Sequence, residues 1–179
     1  MRIKKEVKVQ APIDQVWQLL GPNYAKAGDW ASSVYASRGR EGAPTIADAP
    51  VTGRVCETSV GPFTETLENY DPGSYQLSYS ATGEKMPGFL RRLTNSWRLI
   101  PAGSGNTIVK MELQADIAFP FNVLMGWMMR MQFGNLLQNS IEEFKHFAET
   151  GQPHPRKRKV DSSQKAGAAR AAMASLQTT

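Results

Sequence analysis

One cysteine, Cys56, stands in a chain of 179 residues. A lone thiol excludes an internal disulfide and any metal site built from several cysteines. Histidine is almost as scarce. His146 and His154 are the only two, too few for a histidine-rich metal centre. No metal or other cofactor is expected. No run of about 18 uncharged apolar residues exists; the best candidate, Ala115 to Phe133, holds Asp116 and Arg130. The first ten residues, MRIKKEVKVQ, alternate charged and apolar side chains and form no apolar signal region. A soluble cytoplasmic protein is the expectation. The basic run 156–159 resembles a short nuclear-import signal and leaves that destination open.

The net charge of +5 is also absent from most of the chain. Residues 151–179 hold six basic side chains against Asp161 alone, and the remainder balances 15 basic against 15 acidic residues. A basic isoelectric point therefore gives no reason to expect a nucleic-acid-binding face. The hydrophobic fraction of 41% and charged fraction of 21% are those of a globular protein.

What the chain does have is period. Ile3 to Val9 alternates as a half-buried strand, and Pro12 starts a helix in which Ile13, Val16, Trp17 and Leu20 share a face. Gly21-Pro22 stops it. A second short helical turn, Asn23 to Trp30, and a strand, Ser32 to Arg38, follow. Gly39 to Gly53 has no period and reads as a long loop, either a lid or a plain connection. Five more strands are expected: Arg54 to Val60, Phe63 to Tyr70, Tyr75 to Ala81, Leu93 to Ile100 and Asn106 to Ala118. Gly61-Pro62 fits a tight hairpin turn and Asp71-Pro72-Gly73 a type II turn. In the last strand Val109, Met111, Leu113, Ala115 and Ile117 share one face, which implies a sheet covered on one side and wet on the other.

Phe121 to Thr150 has no internal proline and reads as one long helix ended by Gly151. Its second half is amphipathic through Phe133, Leu137, Ile141, Phe144 and Ala148. Its first half is apolar all round and needs cover on several sides. Sequential strands followed by a long helix imply an α+β layer with an antiparallel sheet of about seven strands. Residues 1–151 then form one domain. Residues 152–179 shift to Pro, Ser, Gln, Lys and Ala and read as a basic disordered tail, with a short helix possible around Ala166 to Leu176. That tail and the methionine-rich half-helix allow a weak membrane contact.

Candidate site residues follow from the strand faces. If Phe63, Leu67, Leu77 and Trp97 point inward, Glu65, Tyr79 and Asn95 point inward with them. They join Trp97, Met111 and Leu113 as a few polar groups in an apolar, aromatic-lined concavity, the usual form of a small-molecule site. Trp30, Trp127, Met128 and Met131 add apolar walls. Arg130 lies between Gly126 and Gly134 on one helix ridge and offers a cation. Glu65 has two readings: a buried carboxylate paired with Arg130 or bonded to Tyr79, and an acid or base for proton transfer. Cys56 reads as a small buried apolar residue. His146 reads as exposed.

The strings VKVQAPIDQVWQLL, NYAKAGDW, FTETLENYDPGSYQLSYS and SWRLIP, in this order, resemble the START-like (SRPBCC) superfamily. They look most like its polyketide cyclase/dehydrase branch, which also contains plant lachrymatory-factor-synthase-like proteins. The resemblance spans about residues 2–150. It implies a helix-grip fold, a curved antiparallel sheet wrapped around the C-terminal helix with a ligand cavity between. It also implies a hydrophobic small-molecule ligand such as a lipid or polyketide, with a cyclase/dehydratase activity and a lipid-transfer role as alternatives. Glu65 sits where some members of that branch carry an acidic residue for proton transfer. Threonines flank it here. No arginine is evident in the preceding strand at the position family members use, where Cys56 stands nearby.

Overall fold

The computed structural model describes residues 1–175. Its frame is one sheet of seven strands in the order β1-β7-β6-β5-β4-β3-β2, with every neighbouring pair antiparallel. The strands are β1 (Arg2–Val9), β2 (Val34–Gly39), β3 (Gly53–Thr58), β4 (Gly61–Asp71), β5 (Gln76–Gly83), β6 (Leu90–Pro101) and β7 (Thr107–Ile117). Helix α1 (Ile13–Leu20) and a 3-10 helix (Tyr24–Asp29) link β1 to β2. The long helix α3 (Gly126–Thr150) lies across β1 and β7. This is the α+β, helix-grip architecture.

The core forms between α3 and the inner face of the sheet. Val109, Met111, Leu113, Ala115 and Ile117 alternate inward along β7, all buried, while Lys110 and Asp116 point to solvent. Trp30, Trp97 and Phe144 meet at centroid distances of 5.2 to 6.2 Å, so the 3-10 helix, β6 and α3 converge on one aromatic cluster. Phe144 is fully buried. Truncating such a ring costs about 3–5 kcal/mol.

Three expectations are corrected. The hairpin turn after β3 is Ser59-Val60, because Thr58 pairs with Gly61. The Thr58 hydroxyl donates to Gly61 O at 2.7 Å and accepts from Val60 N, which ties the turn from inside. The helix from Phe121 is not continuous either. A short α2 (Phe121–Leu124) stops at Met125, whose φ of −119° leaves the helical range, and α3 starts at Gly126. A half-helix apolar on every side has no single face to pack, and Gly126 is a poor helix former at the break.

The third correction concerns the tail, which does not read as disordered in the structure. Gly151 ends α3 in the left-handed region, and the chain returns as α4 (Pro155–Asp161) and α5 (Gln164–Ser175), with α5 against edge strand β2. Ala166 and Met173, seven apart, supply its buried stripe. Lys157 is wholly buried, and its ammonium donates to Val34 O and Asp161 Oδ1, both at 2.8 Å. Arg156 donates to Glu142 and Glu143 of α3. Leu176 lies outside the described residues.

Candidate functional site

Gly53 brings the site together. A Cβ there would stand 2.0 Å from Glu65 O, so only glycine lets β3 run this close to β4. The next residue, Arg54, is the direct cross-strand partner of Glu65. Its Nε lies 2.6 Å from Glu65 Oε2, an ionic contact without hydrogen-bond alignment. Tyr24 OH donates to the same oxygen at 2.9 Å. Arg54 Nη1 donates to Tyr24 O at 2.7 Å, and its guanidinium carbon stands 4.3 Å from the centre of the Tyr24 ring.

A second layer follows on β5 and β6. Asn95 Nδ2 donates to Tyr79 OH at 3.1 Å, and Arg54 Nη2 lies 3.5 Å from the same hydroxyl. Arg54 and Asn95 are each only 7% exposed. Burial works against the charge on Arg54, but Glu65 and then Tyr24 more than offset it and hold the guanidinium firmly protonated. Burial and the Glu65 charge push the Tyr24 and Tyr79 phenols well above their ordinary value, so both keep their protons. Burial pushes the Cys56 thiol up to about 12, which removes it as a nucleophile.

Arg54, Glu65, Tyr79 and Asn95 form the polar wall of a cavity of about 350 Å³ between sheet and α3, with Tyr24 behind them. The other walls are apolar, with Trp30, Trp97, Met111, Leu113, Phe133 and Leu137 among them. Val60 of the hairpin and Leu136 of α3 line its rim and are themselves exposed. The size falls at the lower end of small-molecule sites. It corresponds to roughly a dozen water volumes.

Of the side chains singled out from sequence, Trp30, Glu65, Tyr79, Asn95, Trp97, Met111 and Leu113 line this cavity. Trp127, Met128, Arg130 and Met131 do not. Trp127 is 70% and Met131 55% exposed, and Met128 is half-buried off the cavity wall. Arg130 is exposed and donates to Arg2 O at 3.4 Å, far from any pairing with Glu65. These four sit on the first two turns of α3, where Met129 is the side chain that packs on the sheet, against Leu90, Ala115 and Ile117. Sequence reasoning missed Arg54 and Tyr24. Arg54 was findable, since it shares a strand face with Cys56 two residues on. His146 is half-buried, its ring 5.2 Å from that of His154. Among the described residues no group of three His, Cys, Asp or Glu could hold a metal ion, and no helix is long and apolar enough to cross a membrane.

Solved structures show the same fold at low identity. The protein XoxI from Bacillus cereus is 14% identical with a TM-score of 0.64, over 81% of this chain and 93% of that one. A START superfamily protein from Mycobacterium smegmatis is 14% identical with a TM-score of 0.58, over 79% and 94%. The di-domain ARO/CYC BexL is 14% identical with a TM-score of 0.65, over 82% of this chain and 45% of BexL. No curated protein sequence matches. The family model described as polyketide cyclase/dehydrase and lipid transport matches residues 1–149. With that match over most of its length, the chain belongs to the polyketide cyclase/dehydrase and lipid transport family.

Proposed function

We propose that this protein binds an apolar small molecule in the cavity between the sheet and α3. The observation that carries the reading is the wall itself: aromatic and aliphatic on most sides, with one compact polar pole of Arg54, Glu65, Tyr79 and Asn95. Arg54 and Glu65 offset each other, so the pole offers hydrogen bonds rather than net charge. The cyclase/dehydratase alternative would run through Glu65. The Tyr24 hydroxyl and the Arg54 charge already hold Oε2 of that carboxylate, so only Oε1 is open to a substrate.

The test uses N-phenyl-1-naphthylamine as an apolar fluorescent probe. Ala81→Trp projects a ring into the cavity from β5 and should weaken probe binding by about tenfold or more. Lys110→Ala, on the wet face, should leave it unchanged. Overpacking costs about 1–3 kcal/mol, so affinities are compared among variants still folded. Equal affinity in both variants and wild type would remove the cavity from consideration.

A second reading has an observation of its own. The tip formed by α2 and the start of α3 exposes Phe119, Val123, Leu124, Trp127 and Met131 at 55–79%. From Ile117 to Ile141 the chain has no acidic residue and one cation, Arg130. Exposed apolar side chains around a tryptophan suit a lipid interface. The basic tail plays a smaller part than its composition implies, since Arg156 and Lys157 are engaged in the fold. On vesicles of phosphatidylcholine with phosphatidylglycerol, the wild type should co-sediment and Val123→Asp/Leu124→Asp should not. Binding lost instead with Arg158→Glu/Lys159→Glu would move the contact to the tail.

A further inference from the structure

One wall of the cavity, carrying Trp30, Ala31, Ser33 and Val34, is the short connection from the 3-10 helix into β2. β2 is the last strand of the sheet, and its ladder to β3 is irregular between Val34 and Ala36. Among the described residues no further strand stands beside it to hold its outer backbone groups. The tail supplies that hold. Lys157 of α4, wholly buried, donates to Val34 O at 2.8 Å, and α5 lies against β2 with Ala166 and Met173 buried. The same connection is fixed from the α3 side. Ser32 gives its backbone N–H and its hydroxyl to Glu143, and Arg156 donates to that carboxylate and to Asn139 O. Residues that line the cavity are therefore held from behind by groups that do not. The family match ends at residue 149, so α4 and α5 lie beyond it.

We infer that Lys157 is a positioning residue for the ligand site, and that the docked tail and an occupied cavity favour each other, so that tail docking regulates binding. The inference rests on the cavity being a ligand site, as proposed above. Without Lys157 the Val34 carbonyl takes water, and the connection gains conformations in which Ala31 and Val34 no longer face the cavity. The docked tail removes those conformations before a ligand arrives, so binding does not have to order the wall. The coupling is reciprocal. A ligand resting on Ala31 and Val34 selects the arrangement in which Val34 O meets Lys157. The anchors on β2 are Lys157, Ala166 and Met173, so loss of the Glu143 charge alone leaves the wall held.

The experiment follows hydrogen exchange of the α4 and α5 amides on the full chain, with and without saturating N-phenyl-1-naphthylamine. Those amides exchange by local undocking, below global unfolding, so a probe bound at an independent site leaves them unchanged. Coupling should slow them about fivefold or more. Ala166→Asp drives a charge into the buried face of α5, and Ala166 does not line the cavity. It should free the α5 amides and weaken probe binding by the same factor, and Lys157→Met should weaken it in the same direction. Unchanged exchange on adding probe to the wild type overturns the inference, whatever the variants do, and leaves the cavity reading standing. Wild-type probe affinity in an Ala166→Asp chain whose α5 amides exchange freely overturns it as well. No probe binding by the wild type takes down the cavity reading and this inference together.

Discussion

Two glutamates are turned inward in this molecule, Glu143 buried and Glu65 half-buried, and an arginine stands against each. Glu143 on α3 is 1% exposed. Its Oε1 accepts from Ser32 Oγ and Arg156 Nε, and its Oε2 from Ser32 N. Both oxygens are held, and Glu143 does not line the cavity. Glu65 on β4 takes Tyr24 and Arg54 at one oxygen only and lines the cavity with the other end of its carboxylate. The chemistry of the two pairs is the same. What differs is completeness. A closed set of partners locks the returning tail onto the grip helix. An open set leaves capacity for a molecule the chain does not itself supply.

The comparison breaks most visibly when the arginines or their partners are changed. Arg54→Met leaves the half-buried Glu65 without its cation and should cost about 3 kcal/mol, with loss of probe binding. Glu143→Gln keeps the Ser32 contacts in part and weakens the grip on Arg156, which is 37% exposed. Its cost should be about 1–2 kcal/mol, with probe affinity unchanged. Arg54→Met/Glu65→Leu should recover most of the stability and none of the binding, because an apolar pair of similar volume replaces a buried ion pair at little cost. Denaturant unfolding and N-phenyl-1-naphthylamine titration on the same samples check both halves. Probe binding that survives in the double variant, or fails in Glu143→Gln, would dissolve the distinction between the two glutamates.

The sheet and its inward faces were legible because alternation is a local property. The buried set on β7 is the one its period of two implies. Glu65, Tyr79 and Asn95 were placed on the cavity side by the same rule. The partner of Glu65 was not, since it depends on hairpin register. A turn at Gly61-Pro62 sets Glu65 opposite Thr58, whereas the observed turn at Ser59-Val60 sets it opposite Arg54. The first half of the long helix shows a different limit. All-round apolarity says that Trp127 and Met131 want cover, but composition cannot say whether the cover is sheet, ligand or something outside the chain. The tail shows a third. Arg156 and Lys157 look like a solvated charge run until Glu143, Val34 and Asp161 are seen to receive them. Partners that far apart in sequence leave no periodic trace.

The smallest expected effect tests how the closed glutamate site is held shut. His154 is the N-cap of α4, and its Nδ1 accepts from Arg156 N at 3.2 Å. Protonation would turn that acceptor into a donor facing a donor. Burial, and then the Arg156 charge, lower the His154 pKa below its ordinary 6.5, with Glu143 and Glu142 pulling the other way and the His146 ring alongside. A histidine lowered in the folded state binds its proton more readily when unfolded. Its contribution to stability is therefore complete above pH 6.5 and is lost as the pH falls through the lower folded value. Glu142 is held below its ordinary value by Gln138 and Arg156, so its own contribution is complete above pH 4.5 and is lost further into acid. Tail docking, followed by hydrogen exchange of the α4 amides, should weaken in two separate windows. His154→Asn keeps an N-cap acceptor and cannot titrate. It should flatten the upper window, between about pH 7 and 5, and leave the lower one in place. An upper window that persists unchanged in His154→Asn would mean that His154 does not hold the latch.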